Sequence, residues 1–158
     1  MARYGLATIF EEHAVGYEFT SADLPLHLTH IDSFETEMKP SELINKLSVL
    51  LENQRALTVT AVADKMYGPN KDIPVTELEL TPELKTLHDT LVGFLSDEGI
   101  VLRNPQFNGS NFTPHVSVYG EKRVAVGQDV VISDVSLATK VSDAEDANRR
   151  VLANFMLS

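Results

Sequence analysis

Two short stretches carry the same set of chemically useful side chains: Pro25-Leu26-His27-Leu28-Thr29-His30-Ile31 and, 88 positions later, Pro114-His115-Val116-Ser117-Val118-Tyr119. In each, a histidine is followed by one apolar residue and then a hydroxyl, within an apolar and β-branched run of the kind that forms a strand. Residues i and i+2 of a strand share a face. His27 therefore projects with Thr29, and His115 with Ser117, while Leu28, Val116 and Val118 turn toward a core. A pair of such histidines suits proton transfer in both directions. One neutral imidazole takes a proton from an attacking water or hydroxyl, and the other, protonated, gives one to a leaving oxygen. With an unperturbed pKa near ~6.5, histidine reaches both states close to neutrality.

Displacement at phosphorus runs in line, so acid and base must stand on opposite sides of the phosphate. Two strands brought side by side would place them so, with Thr29 and Ser117 donating to the non-bridging oxygens. The scheme calls for no metal and no cofactor. A single histidine beside a threonine in a strand is ordinarily structural, and it is the duplication that carries the signal. His27 and His30 do not form a metal pair, because an odd separation puts them on opposite faces. Tyr119 continues the His115 and Ser117 face, so with Phe112 it is a candidate for stacking a base. Tyr67 and Lys65 lie close enough to a turn to reach a ligand, although an ordinary turn accounts for them equally well. His13 and His88 have no evident partner, and His88 reads as an exposed or half-buried helix residue.

The elements around these motifs fit one domain spanning residues 1–158, a length that buries a proper core. Leu6 to Phe10 reads as a strand, followed by a polar loop through Asp23. Leu26 to Ile31 is the first motif strand. Ser41, after Pro40, is expected to cap a helix with Leu43, Leu47, Leu50 and Leu51 at helical spacing. Leu57 to Met66 and Val75 to Leu80 form a hairpin across the turn residues Tyr67 to Asp72. Thr81 and Pro82 open a second helix running to about Gly99. A loop from Phe107 to Thr113 leads into the second motif strand. Val130 to Val141 reads as one long strand kinked near Asp134. For the end of the chain the pattern allows two readings, a helix opened by a capping box at Ser142 to Glu145 or a turn followed by a strand from Arg150 to Leu157.

Composition narrows the partners. The absence of cysteine excludes disulfides and thiolate chemistry, which suits a reducing compartment. No apolar run approaches the ~20 residues that cross a bilayer, and no signal peptide is read at the N-terminus, so a cytoplasmic, membrane-free protein is expected. The net charge is −10 and the 13 Lys and Arg residues form no basic stripe, which disfavours long nucleic acid held by its backbone. A small anion in one pocket remains compatible, because a few local donors outweigh a distant screened charge. A small nucleotide or oligonucleotide is the expected partner, and a monomer the expected state.

The segments Leu26-His27-Leu28-Thr29 and Phe112-Thr113-Pro114-His115-Val116-Ser117-Val118 resemble the paired His-x-Thr/Ser signatures of the 2H phosphoesterase superfamily. That group includes LigT-like 2′-5′ RNA ligases, cyclic phosphodiesterases and phage enzymes that cleave cyclic-oligonucleotide signals. The resemblance implies an α+β fold with two lobes of antiparallel strands related by a pseudo-two-fold, flanking helices and a central cleft. It implies catalytic roles for His27 and His115, phosphate-binding roles for Thr29 and Ser117, and a closing strand from Arg150 to Leu157. Two departures stand out: serine replaces the commoner threonine at position 117, and His30 replaces an apolar residue. The functions compatible with the resemblance are hydrolysis of a phosphodiester in a small nucleotide, processing of RNA ends, and catalytically idle nucleotide binding.

Overall fold

The two motif strands pair with one another. In the computed structural model, which describes residues 2–20, 22–142, 144 and 147–158, β3 (His27–Thr36) and β6 (His115–Ser117) run antiparallel with Leu28 opposite Val116. Both of these residues are fully buried. Strands are added outward from this seam on either side. Beside β3 come β1 (Ala2–Ile9), β8 (Asp134–Lys140), β9 (Arg149–Met156) and the two-residue β2 (Glu18–Phe19). Beside β6 come β5 (Ile73–Leu78), β4 (Leu57–Tyr67) and β7 (Asp129–Ile132). The described pairings are all antiparallel, giving an α+β fold with a lobe on each side of the seam.

Helices α1 (Pro40–Leu51) and α2 (Pro82–Asp97) cover the core face, with α1 against β9 and α2 against β3. Their leucine stripes, Leu43-Leu47-Leu51 and Leu84-Leu87-Leu91-Leu95, join Leu28, Phe34 and Val116 in one buried cluster. The leucine spacing puts these side chains on one helical stripe, and burying that stripe is what holds the helices down. Thr81 caps α2 by accepting from the Leu84 N–H at 3.1 Å, with Pro82 at the first helical position. In α1 the capping position is Lys39 and not Ser41, and no side chain caps it. Pro40 itself takes the first turn, where its missing N–H costs nothing. No helix among the described residues is long and apolar enough to cross a membrane.

Several boundaries differ from the sequence reading. The run from Val130 to Val141 is two strands, because the chain leaves β4 at Ile132 and joins β1 and β9 from Asp134 onward. The polar pair Ser133-Asp134 falls at the change of lobe, where the sequence reading placed only a kink. β1 begins at Ala2, β3 continues to Thr36, and β2 lies inside the expected loop. A short 3-10 turn, Pro105–Phe107, leads into the expected loop before the second motif, and a second, Gly109–Asn111, lies within it. β3 is bulged against β1, which is why its polar second half does not alternate cleanly. Gly5 permits the close approach there, since a Cβ would sit 3.0 Å from the Asp32 carbonyl oxygen. The C-terminal segment is a strand from Arg149 to Met156. The alternative capping box falls partly outside the described residues, at Asp143 and Glu145.

The lobes are not the two halves of the sequence. The β4–β5 hairpin, which precedes the second motif by a whole helix, pairs with that motif through β5. β8 and β9, at the end of the chain, return to the first motif's lobe. Each motif strand is thus held in place by segments from the other half of the chain.

Candidate active site

Antiparallel pairing at Leu28 and Val116 decides what faces what on the other side of the sheet. His27 lies opposite Ser117 and Thr29 opposite His115, all four partly exposed where Leu28 and Val116 are buried. The histidines occupy one diagonal of this square and the hydroxyls the other. Diagonal neighbours of this kind stand roughly 7 Å apart at Cβ, which leaves room for one phosphate between the rings.

The backbone fixes both imidazoles in the same way. His27 Nδ1–H donates to the Pro25 carbonyl at 2.8 Å, and His115 Nδ1–H donates to the Thr113 carbonyl at 2.8 Å. A carbonyl only accepts, so Nδ1 carries the proton in each neutral ring and Nε2 is left for the cleft. The acceptor is two residues upstream in both motifs, a repeated geometry that follows from the way each chain segment enters its strand. Burial holds His27 below the ordinary histidine pKa, the Pro25 carbonyl opposes this, and His115 pushes it down further.

Aromatic rings flank the square. Tyr119 stacks near His27, with centroids 6.2 Å apart and planes within 16°. Tyr67 meets His115 edge-on at 4.8 Å and donates its hydroxyl to Glu77, the β5 neighbour of His115. Burial and the Glu77 carboxylate raise the Tyr67 phenol well above its usual pKa. Phe112 is not on this face. It is 7% exposed and stacks on the His88 ring at 3.9 Å, so its faces are taken up by the core. Glu77 and the two carbonyl acceptors carry no signature in the sequence; the repeated i−2 spacing is visible only once the tautomers are known.

The other histidines prove structural. His88, read as exposed or half-buried, is 0% exposed. Its Nδ1–H donates to the His30 carbonyl at 3.2 Å, and its Nε2 accepts from the Gly109 N–H at 3.0 Å, which joins α2, β3 and the loop into β6. His30 donates Nε2–H to Thr8 Oγ1 at 2.7 Å, because the Thr8 hydroxyl gives its own proton to the Asp134 carbonyl. Burial, aided by His88, drives the His30 pKa down to about 3. His13, read as unpartnered, donates to the Glu11 carbonyl at 2.5 Å and to Asp134 Oδ2 at 2.6 Å. Burial acts to lower its pKa, but these two acceptors outweigh that and raise it.

The segment ahead of the first motif is fastened across the seam. Lys122 Nζ, just beyond the second motif, donates to Glu11 Oε2 and to the Leu24 carbonyl, each at 3.0 Å, and Glu11 Oε2 also accepts from the Leu26 N–H. Burial would raise the Glu11 carboxyl, but Leu26 and Lys122 hold it below its ordinary value. Beside His27 and Thr29 opens a cavity of about 270 Å³ that runs along β1 and β8. A larger depression of about 1160 Å³, behind the Phe10 to Ala14 segment, contains neither motif histidine. Among the described residues no three His, Asp or Glu side chains converge as a metal site.

Fold and site together define a class: two antiparallel lobes meeting at a seam where each contributes one histidine and one hydroxyl. Solved structures share the fold. One described as a phosphoesterase matches with a TM-score of 0.59 at 16% identity, over 99% of this chain and 98% of that one. E. coli LigT complexed with 3′-AMP matches with a TM-score of 0.58 at 16% identity, over 99% and 98%. TT0787 of Thermus thermophilus matches with a TM-score of 0.61 at 16% identity, over 98% and 97%. The chain therefore has the LigT-like fold. No family model and no curated protein matches it.

Proposed function

We propose that this protein is a metal-independent phosphoesterase of the 2H type, cleaving a phosphodiester in a small nucleotide or oligonucleotide. The observation that carries the reading is the matched pair of Nδ1–H bonds to carbonyls two residues upstream, which leaves Nε2 as the reactive nitrogen of each ring on two paired strands. The fold it shares with a phosphoesterase and with LigT, one structure of which holds 3′-AMP, supports a nucleotide as the ligand.

The phosphate sits between the rings, its non-bridging oxygens accepting from Thr29 and Ser117. His27, held neutral by burial, takes the proton of the attacking water or ribose hydroxyl at Nε2 as the new P–O bond forms. His115, protonated, gives its Nε2 proton to the oxygen of the P–O bond that breaks. Tyr119 offers a face for the base, as aromatic rings do for any nucleobase. Burial, which disfavours a charge on His27, supports its role as the base.

A substrate panel tests this: 2′,3′-cyclic mononucleotides, cyclic oligonucleotides and RNA with a 2′,3′-cyclic end, each with chelator present. Turnover survives the chelator, and His27→Ala and His115→Ala each lose on the order of 10²–10⁴-fold in kcat while remaining folded. Turnover abolished by chelator contradicts the metal-free scheme. Tight binding with no turnover of any member would make the chain an idle nucleotide-binding module.

A further inference from the structure

One cross-strand row of the sheet gathers more positive charge than its contacts among the described residues neutralise. Lys140 of β8 lies opposite Arg149 of β9. The β1–β8 register sets Tyr4 opposite Thr139, so Arg3 falls beside Lys140 one position further on. Like charges directly opposite one another destabilise a sheet. Here two such pairs adjoin, in a chain whose net charge is −10. Arg3 shares a single carboxylate oxygen of Glu35 with Arg103, at 3.2 and 2.6 Å. Arg149 has Nη1 buried with no hydrogen-bond partner among the described residues. Burial, reinforced by Arg3, holds the Arg149 pKa below its ordinary value. A buried charged donor left unmade carries its full desolvation cost.

The row opens into the cavity that also holds His27 and Thr29. Between its two ends the lining includes Gly5, Ala7 and Ala138, whose small side chains leave the space open. Ala7 is opposite Thr29. Arg3 lies four residues back along β1, about 13 Å at strand rise. The carboxylate of Asp32 also lines the cavity and accepts from Asn104 Nδ2 at 2.5 Å.

We propose that Arg149 and Lys140, with Arg3 beside them, form a second phosphate subsite, so that the substrate is an oligonucleotide. Its scissile phosphate lies between His27 and His115, and a further phosphate of the same strand, at least one nucleotide away, reaches the basic row. This rests on the phosphoesterase reading for the identity of the first phosphate. A single short strand fits because the cations line one cavity and do not extend as a surface stripe.

The test compares a 2′,3′-cyclic mononucleotide with a trinucleotide ending in the same cyclic phosphate, using the parent chain, Arg149→Gln and Lys140→Gln. The ratio of kcat/KM for trinucleotide over mononucleotide falls roughly tenfold in each variant, the loss expected for one charge-assisted hydrogen bond. The log–log salt slope of trinucleotide binding shrinks by about 0.7 per cation removed. Neither variant melts below the parent, because each relieves a like-charge pair. An unchanged ratio overturns the proposal, and so does a loss fully accounted for by a lowered Tm. Anisotropy with a fluorescein-labelled trinucleotide separates the two readings. Arg149-dependent binding without turnover keeps the subsite and sinks the phosphoesterase, whereas turnover indifferent to Arg149 does the reverse.

Discussion

His27 and His115 are equivalent in backbone geometry and unequal in environment. Each is oriented by a carbonyl two residues upstream, but His27 is the more buried and feels the charge of His115. A histidine whose pKa is lowered stays neutral to a more acidic pH, so the acid limb of the rate profile, which reports the base, shifts downward. The expected outcome is a bell-shaped kcat/KM whose acid limb has its midpoint below 6.5, the unperturbed histidine value. An acid limb above that value would reverse the roles of the two rings. The four residues of the square were legible in the sequence because i and i+2 in a strand need no tertiary information. Phe112 was not legible, because whether an aromatic beside a motif faces a cleft or a core depends on its stacking with His88, 24 positions upstream.

At the scale of elements, α2, β3 and the loop into β6 are joined through His88 and His30, both neutral donors and acceptors in the core. Protonating either ring replaces an acceptor or an orphaned nitrogen with a buried charge, so the folded state resists it. The unfolded chain takes up these protons near pH 6.5 and the folded chain does not, so stability falls as pH drops through this window and continues falling toward about 3 for His30. His30 alone accounts for a loss of about 2 kcal/mol between pH 7 and pH 5. His13, whose pKa is raised, contributes stability that is fully present below its unfolded value and lost as pH rises through its folded one, so it gains as pH falls and offsets part of this loss. Urea unfolding at the two pH values measures the difference, and His30→Asn should shrink it by about that amount. A His30→Asn protein that keeps the parent's full change in stability between the two pH values would contradict the role given to His30. The sequence offered no sign of this network, since His88 sits on a helix whose polar neighbours, Thr86 and Asp89, suggest exposure.

For the whole molecule, the sequence carried the class of fold and the strand–helix order, but not the route of the chain between lobes. Periodicity identifies a strand without naming its partner, so the run from Val130 to Val141 concealed a change of lobe at Ser133. Interleaving matters to function, because it makes the seam between His27 and His115 a product of the entire sheet. The central claim is that these two rings address one phosphate. The most direct measurement is a titration of inorganic phosphate followed by ring-nitrogen NMR of both histidines. The account predicts that the two Nε2 signals move together with a single midpoint, at one phosphate per chain, while both Nδ1 positions stay protonated. Separate midpoints, or movement of one ring without the other, would contradict it.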